Sequence, residues 1–340
     1  MGRPPPGGPR LSRLARAGEA YPLVPVTVGV VLYSTGPVMV QGSSVSGPVF
    51  SFWRLWIGAG LLGSLAVASD LRRRGRGGRP PRPVGLARRR WPLIGGACFG
   101  LHQLMMFSAV KMTSVVDVTL MGALAPVVTA LGAWWVFRER PGRRFYAWSL
   151  VAIAGGAYLA VGASSGPTGN PGGMALAAAN VVFFAGFFLA SKRSRDEIGV
   201  LDFLAGVVLV AAVVVSGYAV LAGEAIGGMT RTDLLLATAV AGGPGALGHV
   251  GMTWPLRWVP ANIPPVMRLA QPAIAGVLAL IAFGEPLTWT HLAGGLVVVV
   301  GAAGAITSRA GRALRAEARQ AGQRTPSAAP DREVTAPTAR

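Results

Sequence analysis

Ten long apolar stretches follow one another along the chain, and they leave few folds open to it. Each has 18 to 24 residues, which is the length an α-helix needs to cross the hydrocarbon core of a bilayer. They occupy residues 22–40, 48–68, 92–110, 114–136, 145–162, 173–191, 200–222, 234–254, 261–284 and 288–307. Only 13% of the residues are charged, too few for a soluble protein of this length. The sequence therefore predicts an all-α integral membrane protein with ten transmembrane helices.

The basic residues are divided unequally between alternate loops. When successive loops are assigned to opposite sides, 28 of the 32 Lys and Arg residues lie on the side that carries both tails. Only Lys111 and Arg231 lie on the other side. Because basic loops stay in the cytoplasm, we expect a multi-pass protein of the plasma membrane with both termini cytoplasmic. This topology explains the formal net charge of +19, so no nucleic-acid partner is predicted.

The chain resembles itself at an offset of 146 residues. APVVTALGAWWVFRERPG aligns with QPAIAGVLALIAFGEPLT, which matches Pro126 with Pro272 and Glu139 with Glu285. Five spans per copy is an odd number, so we expect two inverted five-helix repeats. Such repeats are typical of secondary transporters, which bind a solute between the halves near the middle of the membrane. The predicted organisation is a cytoplasmic tail (1–21), two repeats (22–162 and 173–307) and a disordered cytoplasmic tail (308–340).

Arg268 is the most informative single residue because it lies within the ninth apolar stretch. Burying a guanidinium in a span costs roughly 2.5–3.5 kcal/mol, so something must compensate it. A cavity-facing arginine would bind a carboxylate or phosphate of the solute. An ion pair with Asp117, or extension of the side chain to the cytoplasmic interface, is the alternative. Arg54, which lies between Trp53 and Trp56, either joins the same site or extends to the outer interface.

Several uncharged polar residues in the spans are further candidates. Gln103 and His249 match at the 146-residue offset, and each is expected either to contact a solute or to form an interhelical hydrogen bond. The predicted substrate-binding residues are Arg268, Gln271, Gln103, His249, Asn180, Tyr33 and Arg54. Asn262 is a weaker candidate of the same kind.

Other residues are predicted to move or to cap helices. Asp117 is a candidate for proton coupling, with an ion pair to an arginine as the alternative. Pro126 and Pro272 each remove a backbone donor within a span, so they are predicted either to be hinges beside a cavity or to be ordinary kinks. The GGPG run at 242–245 interrupts the eighth span in the same way.

Glu139 and Glu285 lie at the turns into the fifth and tenth spans. A carboxylate there is favoured by the positive end of the helix that follows it. We therefore expect both glutamates to be structural caps.

At these residues the chain resembles the EamA-like permeases of the drug/metabolite transporter superfamily. The resemblance rests on a proline followed thirteen positions later by glutamate in both repeats, on the arginine of SFWRLWIGAGLL, and on the KMTS and RWVPA segments. It covers residues 22–307. One difference is that Gln271 precedes Pro272, where the family often has an acidic residue. The resemblance implies ten helices, cytoplasmic termini, and export or exchange of metabolites without an ATPase domain.

The predicted function is alternating-access transport of a small metabolite or drug-like solute, by export or exchange, with proton coupling as one option. Uptake by the same fold is an alternative, and an intramembrane enzyme or a receptor is a more distant one. No P-loop, HExxH, GxSxG or paired intramembrane aspartate motif occurs in the sequence, so neither enzymatic activity nor a cofactor or metal is expected. The expected partners are the solute and the lipid bilayer. Small-residue patterns in the second and tenth spans also leave a homodimer open.

Overall fold

The computed structural model describes residues 21, 23–75, 86–137, 142–165, 170–194, 198, 200–253 and 267–323. Within these residues the chain forms twelve α-helices and one π-helical segment. The α-helices are α1 (Leu23–Gln41), α2 (Gly47–Gly75), α3 (Leu86–Met112), α4 (Val115–Gly122), α5 (Ala125–Phe137), α6 (Arg143–Ser165), α7 (Pro171–Ser194), α8 (Val200–Leu221), α9 (Arg231–Val240), α10 (His249–Thr253), α11 (Gln271–Phe283) and α12 (Trp289–Gln323).

Eight segments of the described chain are long and apolar enough to cross a membrane. They are Leu23–Gln41, Gly47–Arg72, Arg90–Met112, Val115–Val136, Arg143–Gly162, Pro171–Ser194, Leu201–Leu221 and Trp289–Ser308. They correspond to the first seven predicted spans and to the tenth, and α4 and α5 together make one of them. The prediction of an all-α membrane protein is confirmed.

The eighth and ninth predicted spans are divided into shorter segments. In the eighth, α9 leads into the π-helix Ala241–Gly248 and then into α10. Glycine is a poor helix former, and Pro244 has no N–H to donate, so the regular α-helical hydrogen bonding is interrupted. In the ninth, α11 forms the second part, and residues 254–266, which include Asn262, lie outside the described residues.

The internal repeat has a clear counterpart in the structure. The first residues of α5 and α11 are separated by the offset of 146 positions, and so are their last residues. A two-residue turn precedes each helix, at 123–124 and at 269–270. Pro126 and Pro272 each occupy the second position of their helix, where a missing N–H costs little. Both prolines therefore mark a break in a membrane span.

Close helix packing depends on glycines at the crossing points. α3 packs against α7 and α8, and α12 packs along α6. A Cβ at Gly96 would lie 2.5 Å from the Cβ of Val210, and one at Gly301 would lie 2.5 Å from the backbone nitrogen of Ala152. Any side chain there would force the helices apart.

The last helix is longer than expected. α12 continues to Gln323, although the sequence predicts a disordered tail from residue 308. The segment RALRAEARQA is rich in alanine and arginine, which have high helix propensities. The helix therefore continues beyond the end of the apolar span.

Candidate functional site

Arg268 lies at the break before α11 and lines a small cavity, which we call the Arg268 cavity. Its guanidinium carbon lies 4.7 Å from the ring centre of Phe184 and 5.4 Å from that of Tyr33, both within cation–π range. Its Nε donates a hydrogen bond to Oε1 of Gln271 (3.1 Å). Nε2 of Gln271 donates in turn to the carbonyl oxygen of Tyr33 (3.4 Å). Three of the predicted substrate-binding residues are thus in direct contact.

The Arg268 cavity contains equivalent positions from both repeats. Gly122 and Ala125 line it together with Arg268 and Gln271, and each of the first two is separated from its counterpart by 146 positions. No atom lies within 4 Å of a Cβ built on Gly122, so this position faces open space. Asn180 of α7 also lines the cavity. The two broken helices therefore meet at this cavity.

Arg54 lines a second cavity, the Arg54 cavity, together with Phe99, Gly245 and His249. Arg54 is only 6% exposed, and its guanidinium carbon lies 5.5 Å from the ring centre of Phe99. Its Nε and Nη1 have no hydrogen-bond partner among the residues that the structure describes. The alternative in which Arg54 extends to the outer interface is therefore wrong.

Aromatic rings connect the two arginines. The ring centre of His102 lies 5.7 Å from that of Phe99 and 4.7 Å from that of Phe184. Since Phe99 contacts Arg54 and Phe184 contacts Arg268, this row of rings runs from one guanidinium to the other. The run of phenylalanines around residue 184 is visible in the sequence, but the sequence does not distinguish a cavity wall from a lipid-facing surface.

Within the part of the chain that the structure describes, no acidic side chain neutralises either guanidinium. Among the described residues, no carboxylate oxygen lies within 4.0 Å of Arg54 or Arg268. Asp117, the partner considered for Arg268, contacts His291 instead. A buried positive charge without an anion beside it is unfavourable in an apolar medium, so both arginines are suited to bind an anionic ligand.

Asp117 lies where the start of α4 meets the start of α12. Its Oδ1 is 3.2 Å from Nε2 of His291. Its Oδ2 accepts hydrogen bonds from the hydroxyls of Ser114 (2.7 Å) and Thr113 (3.2 Å). α4 belongs to the first repeat and α12 to the second, so the Asp117–His291 contact joins the two halves.

Glu285 caps a helix of the opposite repeat. In the connection between α11 and α12, its Oε2 accepts a hydrogen bond from the backbone nitrogen of Val115 (3.1 Å), the first residue of α4. The expectation that it would cap the helix following it is therefore corrected, although the favourable position at a helix N-terminus remains. Burial raises the pKa of the Glu285 carboxyl, the hydrogen bond from Val115 opposes this rise, and the charge of Asp117 adds to it. Glu139, its counterpart, lies outside the described residues.

Asp233 is an important carboxylate that the sequence reasoning missed. It is 1% exposed, and its Oδ1 accepts from the backbone nitrogen of Ser44 (2.7 Å). Its Oδ2 accepts from the Ser44 hydroxyl (2.6 Å) and from the nitrogen (3.0 Å) and hydroxyl (2.6 Å) of Thr230. The connection between α1 and α2 is thereby bound to the start of α9. The spacing of Thr230 and Asp233 is that of a capping box, which is the signal that could have identified this residue.

Gln103 and His249 do not line the same one of the two cavities described above. Gln103 is buried at 5% exposure, but it is not among the residues lining the Arg54 or the Arg268 cavity. Its neighbour His102 lines the Arg268 cavity, because adjacent residues of a helix point in directions about 100° apart. His249 lines the Arg54 cavity, and its ring centre lies 5.3 Å from that of Tyr33.

Apolar spanning helices arranged as an internal repeat, with arginine-containing cavities beside the broken spans, are typical of a polytopic membrane transporter. The chain belongs to the EamA-like transporter family, whose model matches residues 23–162 and 171–307. The predicted resemblance is confirmed, and the protein is a transporter rather than an enzyme.

The proteins that are similar to this chain include an uncharacterized transporter and a protein of known structure. The uncharacterized transporter YwfM of Bacillus subtilis (strain 168) is 26% identical over 216 residues, which are 60% of this chain and 70% of the relative. A crystal structure that is 20% identical in sequence aligns with a TM-score of 0.56, covering 86% of this chain and 98% of that one. At this identity the second similarity shows the fold alone.

Proposed function

We propose that this protein is a secondary transporter of a small anionic metabolite, which it exports or exchanges across the plasma membrane by alternating access. The observation that carries the proposal is Arg268, a half-buried cation that lines a cavity formed by both repeats. An anionic group of the solute supplies the countercharge that the described residues do not. Binding between two inverted repeats is an arrangement that many alternating-access transporters use.

The breaks at Pro126 and Pro272 are the proposed hinges. Each follows a two-residue turn at an equivalent position, so each span has two parts that can change their mutual angle at low cost. Hinges of this kind absorb backbone rotation at the ends of secondary-structure elements. Their location beside the Arg268 cavity couples such a rotation to the ligand.

The role of Arg268 can be tested after a metabolomic comparison of cells with and without the gene has identified the solute and its direction of transport. Accumulation inside the deleted cells indicates export, and depletion indicates uptake. In proteoliposomes, Arg268→Gln should lower transport of the anion about tenfold to a hundredfold, the loss expected for a charged hydrogen bond.

Arg144→Gln is the matched control, because Arg144 is exposed at the start of α6. This variant should transport like the parent, and both variants should reach normal membrane levels. Transport that is unchanged in Arg268→Gln would contradict the proposal.

We propose further that Asp117 couples transport to protons. Supporting this is its contact with His291, which joins the two repeats at the predicted outer face. Protonation of the carboxylate removes the charge that attracts the imidazole, which favours separation of α4 from α12.

In proteoliposomes, an imposed pH gradient should accelerate transport by the parent but not by Asp117→Asn. Solute exchange without a gradient should persist in the variant. Asp202→Asn, which alters an exposed carboxylate at the start of α8, is the control. Equal stimulation of Asp117→Asn and the parent would disprove coupling at this residue.

A further inference from the structure

We infer that the transported solute is a dianion, with one anionic group bound by Arg268 and the other by Arg54. This inference rests on the proposed function, which requires only one anionic group at Arg268. The solute class that fits is a small organic acid with anionic groups at both ends of a short body.

The first argument is that the Arg54 guanidinium is buried and two of its nitrogens lack hydrogen-bond partners among the described residues. The side chain is 6% exposed, and the two nitrogens are Nε and Nη1. Each buried donor that lacks an acceptor costs about 1–3 kcal/mol, so such a group is normally satisfied by a ligand or water. Because the side chain lines a cavity, an anion in that cavity can accept hydrogen bonds from the guanidinium.

The second argument is that the Arg54 cavity and the Arg268 cavity, which share no lining residue, are separated only by aromatic side chains. Arg268 contacts the ring of Tyr33, and that ring contacts His249, which lines the Arg54 cavity. One aromatic ring therefore separates the Arg268 guanidinium from a wall of the Arg54 cavity. A short solute can contact both guanidinium groups once this ring moves aside.

The third argument concerns the other charges that the site could accept. Besides the two arginines, its ionisable side chains are His102, His249 and Tyr33, and among the described residues it contains no carboxylate. An ammonium group would be repelled by both guanidinium groups. The uncharged acceptors of the Arg268 cavity include the amide oxygens of Asn180 and Gln271 and the hydroxyl of Thr119. The oxygen of Gln271 is already bonded to Arg268. The site thus favours a second anionic group over the amino group of a zwitterion.

Ligand-induced stabilisation tests the inference with simple acids, so the natural solute need not be identified first. The full-length protein in detergent is titrated with succinate against butyrate, with glutarate against valerate, and with phosphoglycolate against glycolate. The increase in melting temperature gives a relative affinity for each acid. For the parent, we expect the dianion of at least one pair to bind about tenfold or more tightly than its monoanion. The phosphoglycolate pair separates phosphorylated acids from dicarboxylates.

Substitutions of Arg54 and Arg268 test which arginine binds which anionic group of the dianion. Arg54→Gln should lose the preference for the dianion, so that it binds the dianion about as weakly as the monoanion. Arg268→Gln should bind both acids weakly. Arg54→Lys keeps the charge but not the planar fork, so it should show an intermediate preference, and it replaces Arg54→Gln if that protein does not fold.

The outcomes separate this inference from the proposed function. Equal affinity of the parent for dianions and monoanions, or an unchanged dianion preference in Arg54→Gln, overturns the dianion inference alone. If Arg54→Gln loses affinity for the dianion and the monoanion equally, the dianion inference is also overturned. Both arginines would then bind the same anionic group of the solute. Anion binding that does not depend on Arg268 overturns the proposed function itself.

Discussion

Three charged side chains, Arg54, Asp117 and Asp233, are buried in or beside the spans, and Arg268 is half-buried. Each is compensated differently. Asp233 accepts four hydrogen bonds from the protein, and Asp117 contacts a histidine and two hydroxyls. The Arg268 side chain contacts two aromatic rings and donates a hydrogen bond to one side-chain amide. The Arg54 guanidinium contacts one aromatic ring, and two of its nitrogens have no hydrogen-bond partner among the described residues. The two carboxylates are satisfied within the fold, whereas the two arginines still have capacity for a ligand.

Asp233→Asn should destabilise the protein by about 1–3 kcal/mol. Each carboxylate oxygen accepts from a different backbone nitrogen, that of Ser44 or that of Thr230. Either orientation of an asparagine amide therefore leaves one of these N–H groups opposite an NH₂. The melting temperature in detergent should fall for this variant and stay near that of the parent for the exposed Asp202→Asn. Equal melting temperatures for both variants would contradict the structural role of Asp233.

Glu285→Gln should weaken the pH dependence of stability. Because the pKa of the buried Glu285 carboxyl is raised, the folded state binds its proton more tightly than the unfolded chain does. The stability linked to this proton is fully present below the ordinary glutamate pKa of about 4.3, and it is lost as the pH rises through the raised value. Glutamine stays neutral and can still accept from Val115. The melting temperature of the parent should fall relative to that of the variant between pH 4 and 8, and parallel curves would contradict the prediction.

At the residue scale, the sequence identifies which groups need compensation but not what provides it. Arg54 and Arg268 are conspicuous because they interrupt apolar runs. His291, the partner of Asp117, is 174 positions away, and the carboxylate of Glu285 caps a helix 170 positions away. Such contacts arise from the packing of one repeat against the other, and neither local periodicity nor spacing encodes them.

At the scale of helices, irregular backbone occurs beside the two cavities. The turns before α5 and α11 precede residues that line the Arg268 cavity, and the π-helix Ala241–Gly248 contributes Ala241 and Gly245 to the Arg54 cavity. Irregular backbone at membrane depth is tolerated where protein or a polar cavity surrounds it. The interruptions thus serve to form the cavity walls.

Gly245→Ala should displace Arg54 and impair transport. A Cβ at this position would lie 2.9 Å from Nη2 of Arg54 and 3.0 Å from the carbonyl oxygen of Val240, so the guanidinium must move. Gly242→Ala is the matched control, because it lies in the same π-helix and no atom lies within 4 Å of its Cβ. Transport should fall at least about tenfold in Gly245→Ala and stay near the parent rate in Gly242→Ala. Equal rates in the two variants would show that the approach to Arg54 is unimportant.

The positions of the helix breaks could be predicted, but their form could not. Proline marks the interruption in the fourth and ninth spans because it has no N–H, and the structure breaks both at the expected place. For GGPG the sequence predicts an interruption, whereas a π-helix arises because the neighbouring helices hold the segment in the bundle. The division between α9 and α10 depends on that packing and is not encoded in hydropathy.

At the scale of the whole molecule, the repeat is the strongest link between sequence and structure. The 146-residue offset is found by aligning letters, and it reappears in the bounds of α5 and α11 and in the first residues of α6 and α12, Arg143 and Trp289. The orientation of the repeats in the membrane rests on the unequal distribution of basic residues, so it requires a direct measurement.

Single-cysteine labelling measures that orientation at equivalent positions of the two repeats. The chain has one cysteine, Cys98 within α3, and Cys98→Ala provides the background. Arg143→Cys and Trp289→Cys change exposed residues at the starts of α6 and α12, which inversion places on opposite faces. An impermeant maleimide should label Trp289→Cys in intact cells. It should also label Ala225→Cys, a control in the α8–α9 connection. Arg143→Cys should be labelled only after the cells are permeabilised. Labelling of Arg143→Cys and Trp289→Cys from the same side would refute the inverted arrangement of the repeats. Labelling of Arg143→Cys in intact cells, and of Trp289→Cys only after permeabilisation, would agree with inversion but show that the predicted orientation is reversed.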